Sequence, residues 1–456
     1  MLDTEPDLSG FSQIDFTNGA VAAVSGGSDS TALLLLLKNH LERTAPATKL
    51  LAVTIDHDLR PGSAAEAQAV ARFCAGRGIA HRTLLWSGPK PSTGLPAAAR
   101  EARYRLLGQA AQAADIGLIL TGHTADDQAE TVQMRHARDE GQGPAEIAGR
   151  GLAGMAPATL YDWRTWIVRP LLGMRRTALR EVLRREHVGW IEDPTNTDQR
   201  FERPRIRAAL AGDASQQRFA AMIALAKQAA SERQQLGHHA AGLIRTLASQ
   251  PTPGLIRLDP GFATVGDDQA AVYALRLLLA SIGGVSFLPD QSRSEALFNS
   301  LSAGPLCATL SRTVVDARRA GIFLHRETRN LPPAAPAADT VLWDGRLRIT
   351  SNDKSDALSI APLGAAAAAK RTLAEDGTPA SLVRAALATA PALWRDGECL
   401  GLAQDCPVSP AIAAHPVVAP FARFLPSFDL APANAVAGLI GAPPVPALPF
   451  PGHSAG

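Results

Sequence analysis

Along residues 19–138, short apolar runs alternate with longer stretches in which apolar positions recur every three or four residues. The runs Gly19–Val24, Leu50–Ile55, His81–Trp86 and Gly117–Thr121 read as buried strands, and 28–43, 63–77, 95–114 and 124–137 read as helices. This alternation predicts an α/β fold, a doubly wound parallel sheet with helices on both faces. Ligands of such sheets sit beyond the carboxyl ends of the strands. Three polar clusters fall at those ends: "SGGSDS" (25–30), "DHDLR" (56–60) and "GHTADD" (122–127).

Farther along, the pattern predicts helices over 213–249 and 268–283, a β-hairpin over 308–327 turning near Arg319–Gly321, and strands near "TVLWDGRLRIT" (340–350). A Pro/Ala stretch at 332–338 reads as a linker. The expected organisation is an α/β domain at 1–212, a mostly helical region at 213–331 and a smaller C-terminal domain at 339–430. The Pro/Gly/Ala-rich stretch 431–456 is expected to be a flexible tail. "GRGLAG" (149–154) matches G-x-G-x-x-G, but Pro157 soon follows and no strong helix does, so it reads as a loop.

Composition narrows the class. A chain of 456 residues with 46% hydrophobic and 19% charged residues is a folded protein of two or three domains. The acidic start "MLDTEPDLSG" lacks the basic-then-apolar order of a signal peptide. Apolar runs such as Ala32–Leu37 are far short of the ~18–20 residues that span a bilayer. No membrane association is expected, and the expected address is the cytoplasm. Four cysteines without a C-x-x-C pair argue against a disulfide framework, a zinc site or a paired-thiol centre, and Cys74 reads as core. The formal net charge of +2 hides a local excess: residues 163–207 hold eleven Arg against six acids.

"SGGSDS" sits between a strand and a helix. Glycines let backbone N–H groups converge on an anion, serines add donors, and the helix aims its positive end at the same place. A strand-to-helix turn with Ser28 or Asp29 as N-cap is the other reading, and on its own the loop leaves both open. No G-K-[ST] occurs, so the loop lacks the lysine that serves a γ-phosphate. Hydroxyls in its place suit pyrophosphate held as a leaving group.

At this point the chain resembles a known family. "SGGSDS" after a first strand is the signature of the N-type ATP pyrophosphatases, the PP-loop enzymes that cleave ATP between its α- and β-phosphates. Together with "TIDHDLRPGSAAEAQAV" (54–70), "GLPAAAREARYRLL" (94–107), "GHTADDQAETVQMR" (122–135) and "EDPTNTDQRFERPRIR" (192–207), in that order, it is similar to the tRNA(Ile)-lysidine synthases over about residues 19–210. The resemblance implies ATP and Mg²⁺ as cofactors, with free L-lysine and a CAU-anticodon tRNA(Ile) as partners. It implies adenylation of the O2 of wobble cytidine 34, then displacement of AMP from C2 by the lysine ε-amine. It also implies a tRNA-binding or linking role for 213–331.

The implied site residues follow the blocks. Ser25, Gly26, Gly27, Ser28, Asp29 and Ser30 would hold ATP, with Asp56, His57 and Arg60 at the adenine or ribose, unless these three merely cap a turn. Asp126 and Asp127 would hold Mg²⁺ and, with Asp29, act in catalysis; acids there also favour a helix N-terminus. Arg100, Arg103, Tyr104, His123 and Glu130 are substrate-binding candidates, against the ordinary reading of a solvated helix face. Arg176 and Arg180 repeat at four-residue spacing with Arg184, and with Arg203, Arg205 and Arg207 they form a basic block suited to an RNA backbone.

Two other readings use the same loop. tRNA thiolation commonly needs paired cysteines or a cysteine-held cluster, yet Cys74 is the only cysteine in the first 306 residues. A tRNA-binding protein with decayed catalysis would have less reason to keep both the loop and the Asp126/Asp127 pair. The chain departs from the family at "RPRIR", where Pro204 replaces an expected Asn, and at "HARDEGQG", where Asp139 and Glu140 add negative charge. Whether the protein is a homodimer stays open.

Overall fold

The structure is a computed structural model that describes residues 9–139, 149–192, 202–209, 215–337, 339–351, 358–371, 377–404 and 412–450. The segments 140–148 and 193–201, Cys406 and the end of the expected tail at 451–456 lie outside the described residues. The chain divides into two compact units, residues 1–233 with 426–428 and 446–456, and residues 234–425 with 429–445.

The first unit runs α1 (Ser9–Ser12), β1 (Ala20–Ala23), α2 (Ser28–Thr44), β2 (Leu50–Asp56), α3 (Ser63–Ala75), β3 (Ala80–Leu85), α4 (Leu95–Ala113), β4 (Leu118–Thr121) and α5 (Ala125–Asp139). It continues with α6 (Gly149–Leu152), β5 (Ala158–Tyr161), β6 (Thr165–Val168), α7 (Arg176–Arg185) and α8 (Glu202–Ala209). Strands β1 and β4 are buried at every position, as the uninterrupted apolar runs require of a sheet covered on both faces. In α2, Ala32–Leu37 are all buried, which places this apolar run inside the core.

Six strands lie in the order β5-β6-β4-β1-β2-β3. Ala22 of β1 faces Ala52 of β2 on one side and Leu120 of β4 on the other, all in parallel. The chain therefore winds outward from β1 to β3, then returns to β4 on the opposite side of β1. That reversal makes the β1/β4 boundary the topological switch point, the place where sheets of this kind bind their ligands.

The sheet is mixed rather than wholly parallel, because β5 pairs antiparallel with β6, Leu160 opposite Trp166. The turn between them uses Asp162 (φ 52°) and Trp163 (φ 60°), left-handed positions filled without glycine. A hairpin that carries no Gly or Asn signal gives the pattern nothing to mark it. "GRGLAG", expected as a loop, is one helical turn over Gly149–Leu152, with the Gly151 carbonyl held by Arg135 at 2.5 Å.

Helix α9 (Ser215–Leu247) spans the division between the units. In the second unit β7 (Ala248–Thr252), β8 (Leu255–Leu258), β9 (Leu306–Leu310), β10 (Thr313–Arg318) and β11 (Gly321–Arg326) form an antiparallel sheet in the order β7-β8-β11-β10-β9. The expected hairpin is β10/β11, Arg318 opposite Gly321. The region expected to be mostly helical thus carries five strands beside α9, α10 (Asp268–Gly283) and α11 (Gln291–Leu301). Short strands such as "LIRL" offer too few positions for a period to show. Two smaller antiparallel sheets follow, and the stretch expected as a tail contains the helix Leu430–Ile440. Its Pro432 stands in the first turn, where no N–H is needed, and the surrounding Ala and Leu are strong helix formers.

Candidate active site

The SGGSDS loop links β1 to α2 at the switch point. Gly26 adopts φ +85°, and a Cβ there would lie 2.6 Å from Ile191 Cδ1 and 3.1 Å from Val70 Cγ2. Glycine is required twice over, by conformation and by space. Gly27 is the N-cap of α2 with ordinary φ −69° and no side-chain cap, so the first amides of α2 receive no side-chain cap from it. The serines knit the turn: Ser30 Oγ accepts from the Ser25 amide at 3.1 Å and donates to the Gly27 carbonyl at 3.1 Å. Neither Ser28 nor Asp29 is the N-cap; both lie inside the helix, and Ser28 Oγ donates to Asp29 Oδ1 at 3.0 Å.

The second loop, after β4, packs on the first. A Cβ on Gly122 would meet the Asp29 carbonyl oxygen at 2.8 Å, so glycine lets the two loops touch. Thr124 then opens α5: its amide and hydroxyl donate to Asp127 Oδ2 at 2.9 and 2.8 Å, and the Asp127 amide returns to Thr124 Oγ1 at 3.3 Å. This is a reciprocal capping box, with Asp in the position that Glu or Gln usually takes. The capping reading of these acids is thus correct for one oxygen of Asp127, and the other is turned elsewhere.

That second oxygen meets Arg176, the first residue of α7. Its guanidinium reaches Asp29 Oδ2 (2.8 Å), Asp127 Oδ1 (3.0 Å) and Glu130 Oε1 (3.4 Å), while only 15% of the side chain is exposed. Burial works against its charge, and Asp127, Asp29 and Glu130 more than reverse that, holding it above the ordinary arginine value. Glu130, 2% exposed, also accepts from Arg207 of α8 at 2.8 Å. Arg176, expected on a basic stripe suited to an RNA backbone, is turned inward to the carboxylates. Asp126 serves a different end: it accepts the Arg176 amide at 2.7 Å and the Arg175 side chain at 3.2 Å, fastening the start of α7.

Arg180, one turn on, reaches Ser28 Oγ at 3.4 Å and Glu192 at 3.2 Å. Arg203 lies 3.5 Å from Thr131 Oγ1, and Arg205 is exposed with partners of its own. Pro204 stands in the first turn of α8, where the missing N–H has no intrahelical acceptor to lose.

A second group gathers around α4. Arg100 lies over the Tyr104 ring at 4.9 Å. Burial raises the Tyr104 phenol, but Arg100, Arg103 and Arg169 outweigh it and hold its pKa below the ordinary tyrosine value. His123 Nδ1 is 2.9 Å from Thr121 Oγ1; burial first, then Arg169 and Arg103, hold it well below the usual histidine range, so it is neutral. His57 is likewise lowered by burial and Arg103, and its buried Nδ1 has no hydrogen-bond partner. The Asp56 carboxylate is turned back to the Asp58 amide at 2.9 Å, and Arg60 pairs with Glu66 at 2.7 Å.

Sequence reasoning missed Arg169, 6% exposed at the end of β6, which donates to the Ala156 carbonyl and to Thr159 Oγ1. Its signal was the same as that of the other clusters, a charged residue just past an apolar strand. Gly122 and Thr124 were also passed over, although T-x-x-D before a helix marks a cap. Burial pushes the Cys74 thiol up to about 11, consistent with a core residue and not a nucleophile.

Among the described residues no group of three His, Cys, Asp or Glu side chains is placed to hold a metal ion alone. The oxygens that converge on Arg176 are hard donors, the kind Mg²⁺ takes in ones and twos together with phosphate oxygens. The donor set therefore fits a magnesium shared with a nucleotide. No helix among the described residues is long and apolar enough to cross a membrane.

Residues 8–214 match the PP-loop domain family. A tRNA(Ile)-lysidine synthase of Mesorhizobium japonicum is 70% identical over 457 residues, covering all of both chains. Enzymes of the same name from Rhizobium meliloti and Brucella canis are 37% and 38% identical, over 94% and 92% of this chain and 93% and 94% of theirs. Among solved structures, a U34-tRNA thiolase of Methanococcus maripaludis overlaps 48% of this chain and 75% of its own at 14% identity and a TM-score of 0.39, too distant to bear on the reaction. Matched along its whole length at this level of identity, the chain belongs to the tRNA(Ile)-lysidine synthases.

Proposed function

We propose that this chain joins L-lysine to C2 of wobble cytidine 34 in a CAU-anticodon tRNA(Ile), consuming ATP and releasing AMP and pyrophosphate. The cytidine O2 attacks the α-phosphorus, and the α–β bridging bond breaks with its electrons leaving on pyrophosphate. The lysine ε-amine then attacks C2, AMP departs with O2, and one proton is released. Adenylation turns a poor leaving group, a carbonyl oxygen, into a good one.

The amides at the start of α2, which have no side-chain cap from Gly27, are suited with Ser25, Ser28 and Ser30 to receive the pyrophosphate as its charge grows. Asp127 is held in one orientation by Thr124 and is the candidate to take the ammonium proton, which a free lysine gives up only near ~10.4. Asp127 and Asp29 would hold Mg²⁺ together with the phosphates, and Asp126 would keep α7 in place. Mg²⁺ would supply charge neutralisation at the phosphates. Glu130 and the same carboxylates offer a seat for the lysine ammonium. Arg100 and Arg103 form the cationic side, fit for phosphates of the tRNA, with the neutral His123 beside them and the buried Arg169 behind. The reaction would take place in the cytoplasm, where tRNA is found.

The observation that carries this reading is the contact of two loops at one switch point, a phosphate-binding turn and a carboxylate helix, in a chain of this family. Thiolation is disfavoured by the buried state of Cys74. The test is direct: protein, ATP, Mg²⁺, lysine and unmodified tRNA(Ile) should yield AMP, pyrophosphate and lysine bound at C34. Absence of lysine incorporation with tRNA binding intact would remove the reading. Asp29→Ala and Asp127→Ala should abolish turnover with the fold retained.

A further inference from the structure

Trp190 has no role in the site as described so far. It follows α7, whose core face is Leu179 and Leu183, both fully buried. The indole does not join that face. It lies instead on the arginine side, with the guanidinium carbons of Arg180 and Arg184 at 5.6 and 5.9 Å from the ring centroid. A half-buried tryptophan on the charged side of a helix gains little from the core.

Its placement is well determined. Indole Nε1 donates to Glu192 Oε1 at 2.7 Å, and Arg180 donates to the same oxygen at 3.2 Å while its Nε reaches Ser28 Oγ at 3.4 Å. The next residue is pinned to the phosphate loop, the Ile191 amide donating to the Gly26 carbonyl at 2.9 Å. The ring is thus anchored to the rim of the SGGSDS loop by two independent connections.

We propose that Trp190, backed by Arg180 and Arg184, is a stacking platform for a base of the tRNA anticodon loop while cytidine 34 is turned into the site. Enzymes that act on a base extract it from its stack, and an aromatic face compensates for the stacking lost. Arginines beside that face add attraction for the base and for the adjoining phosphates. The proposal rests on the tRNA-modifying reading above, and adenine of ATP is the competing occupant.

The test measures two affinities in Trp190→Ala, Trp190→Leu and Trp190→Phe: that of an unmodified tRNA(Ile) anticodon stem-loop, and that of ATP with Mg²⁺. Loss of the aromatic face should weaken stem-loop binding roughly tenfold to a hundredfold in the Ala and Leu variants. Phe should recover most of it, and ATP affinity should stay within about twofold throughout. The stem-loop should also quench a tryptophan emission component that is missing in Trp190→Phe. Stem-loop binding by Trp190→Leu equal to that of the unsubstituted protein would overturn the proposal, since packing alone would then suffice. A fall in ATP affinity in either variant without a ring would also overturn it, in favour of adenine. Unsubstituted protein that forms no lysidine at all would instead remove the reading on which the proposal rests.

Discussion

Arg176 Nε donates to Asp29 Oδ2 at 2.8 Å across 147 positions of sequence, tying the first turn of α7 to the first turn of α2. The same guanidinium is shared with Asp127 and Glu130, so one cation balances acids from two helices. Removing it leaves the three carboxylates facing one another, with Arg207 on the buried Glu130 as the remaining cation among the described residues. Arg176→Met is expected to lower stability by about 3–5 kcal/mol, the range for stripping a buried charge of its partner. Arg176→Lys should restore only part, because an ammonium cannot span three carboxylates in a plane. Urea midpoints check both, and a Met variant as stable as the parent would contradict the role given to Arg176.

The two glycines of the loop should respond differently. Gly26→Ala forces a side chain into a left-handed backbone and against Ile191, and should cost at least about 1–3 kcal/mol. Gly27→Ala meets nothing nearer than Ser25 Oγ at 3.7 Å and keeps an allowed φ, so its stability should stay within about 1 kcal/mol of the parent. Equal thermal unfolding of the two variants would mean that the loop geometry is not as described.

Pro204 is expected to be neutral for the fold. In the first turn of α8 it forfeits no hydrogen bond, so Pro204→Ala should shift stability by no more than about 0.5 kcal/mol in either direction. A loss of several times that size in chemical denaturation would show that the proline, where relatives of the family are expected to carry Asn, had been compensated elsewhere.

Stability should fall on mild acidification. His123 is held well below its ordinary value of 6.5 by burial, Arg169 and Arg103, so the unfolded chain takes up a proton that the folded one refuses. Stability is therefore full above about pH 7 and declines as pH drops through about 6.5 and below, by at most ~1.4 kcal/mol per pH unit for one such group. His40, His57, His81 and His325 are shifted in the same direction and add to the slope. His123→Gln should flatten it between pH 7 and about 5 when unfolding free energies are compared. An unchanged slope would mean His123 is protonated in the folded state.

How much of this could be read without coordinates depended on how local each signal was. The runs around Val21 and Leu51 and the periodic stretch from Ser28 are short-range patterns, and the strands and helices they predict lie within a residue or two of those observed. The polar clusters at the strand ends were equally local. The β5/β6 hairpin was not, because Asp162 and Trp163 occupy a turn that usually advertises itself with glycine. Nor was the inward turn of Arg176. Four-residue spacing places it on a stripe with Arg180 and Arg184, but only three-dimensional contact reveals that its neighbours are acids from α2 and α5. Trp190 was hidden for the same reason, since what matters about it is a face chosen by packing, whereas Arg169 carried the local signal of a charge just past an apolar strand and was overlooked.

The capping box of α5 has a wider consequence. The carboxylate of Asp127 both starts a helix and meets Arg176, so in the proposed mechanism the machinery would inherit its aim from helix nucleation. Selection on folding and selection on turnover then act on the same oxygen pair, through a threonine that need never touch a substrate. Drift at Thr124 would register as an enzymatic defect in a residue with no chemical task.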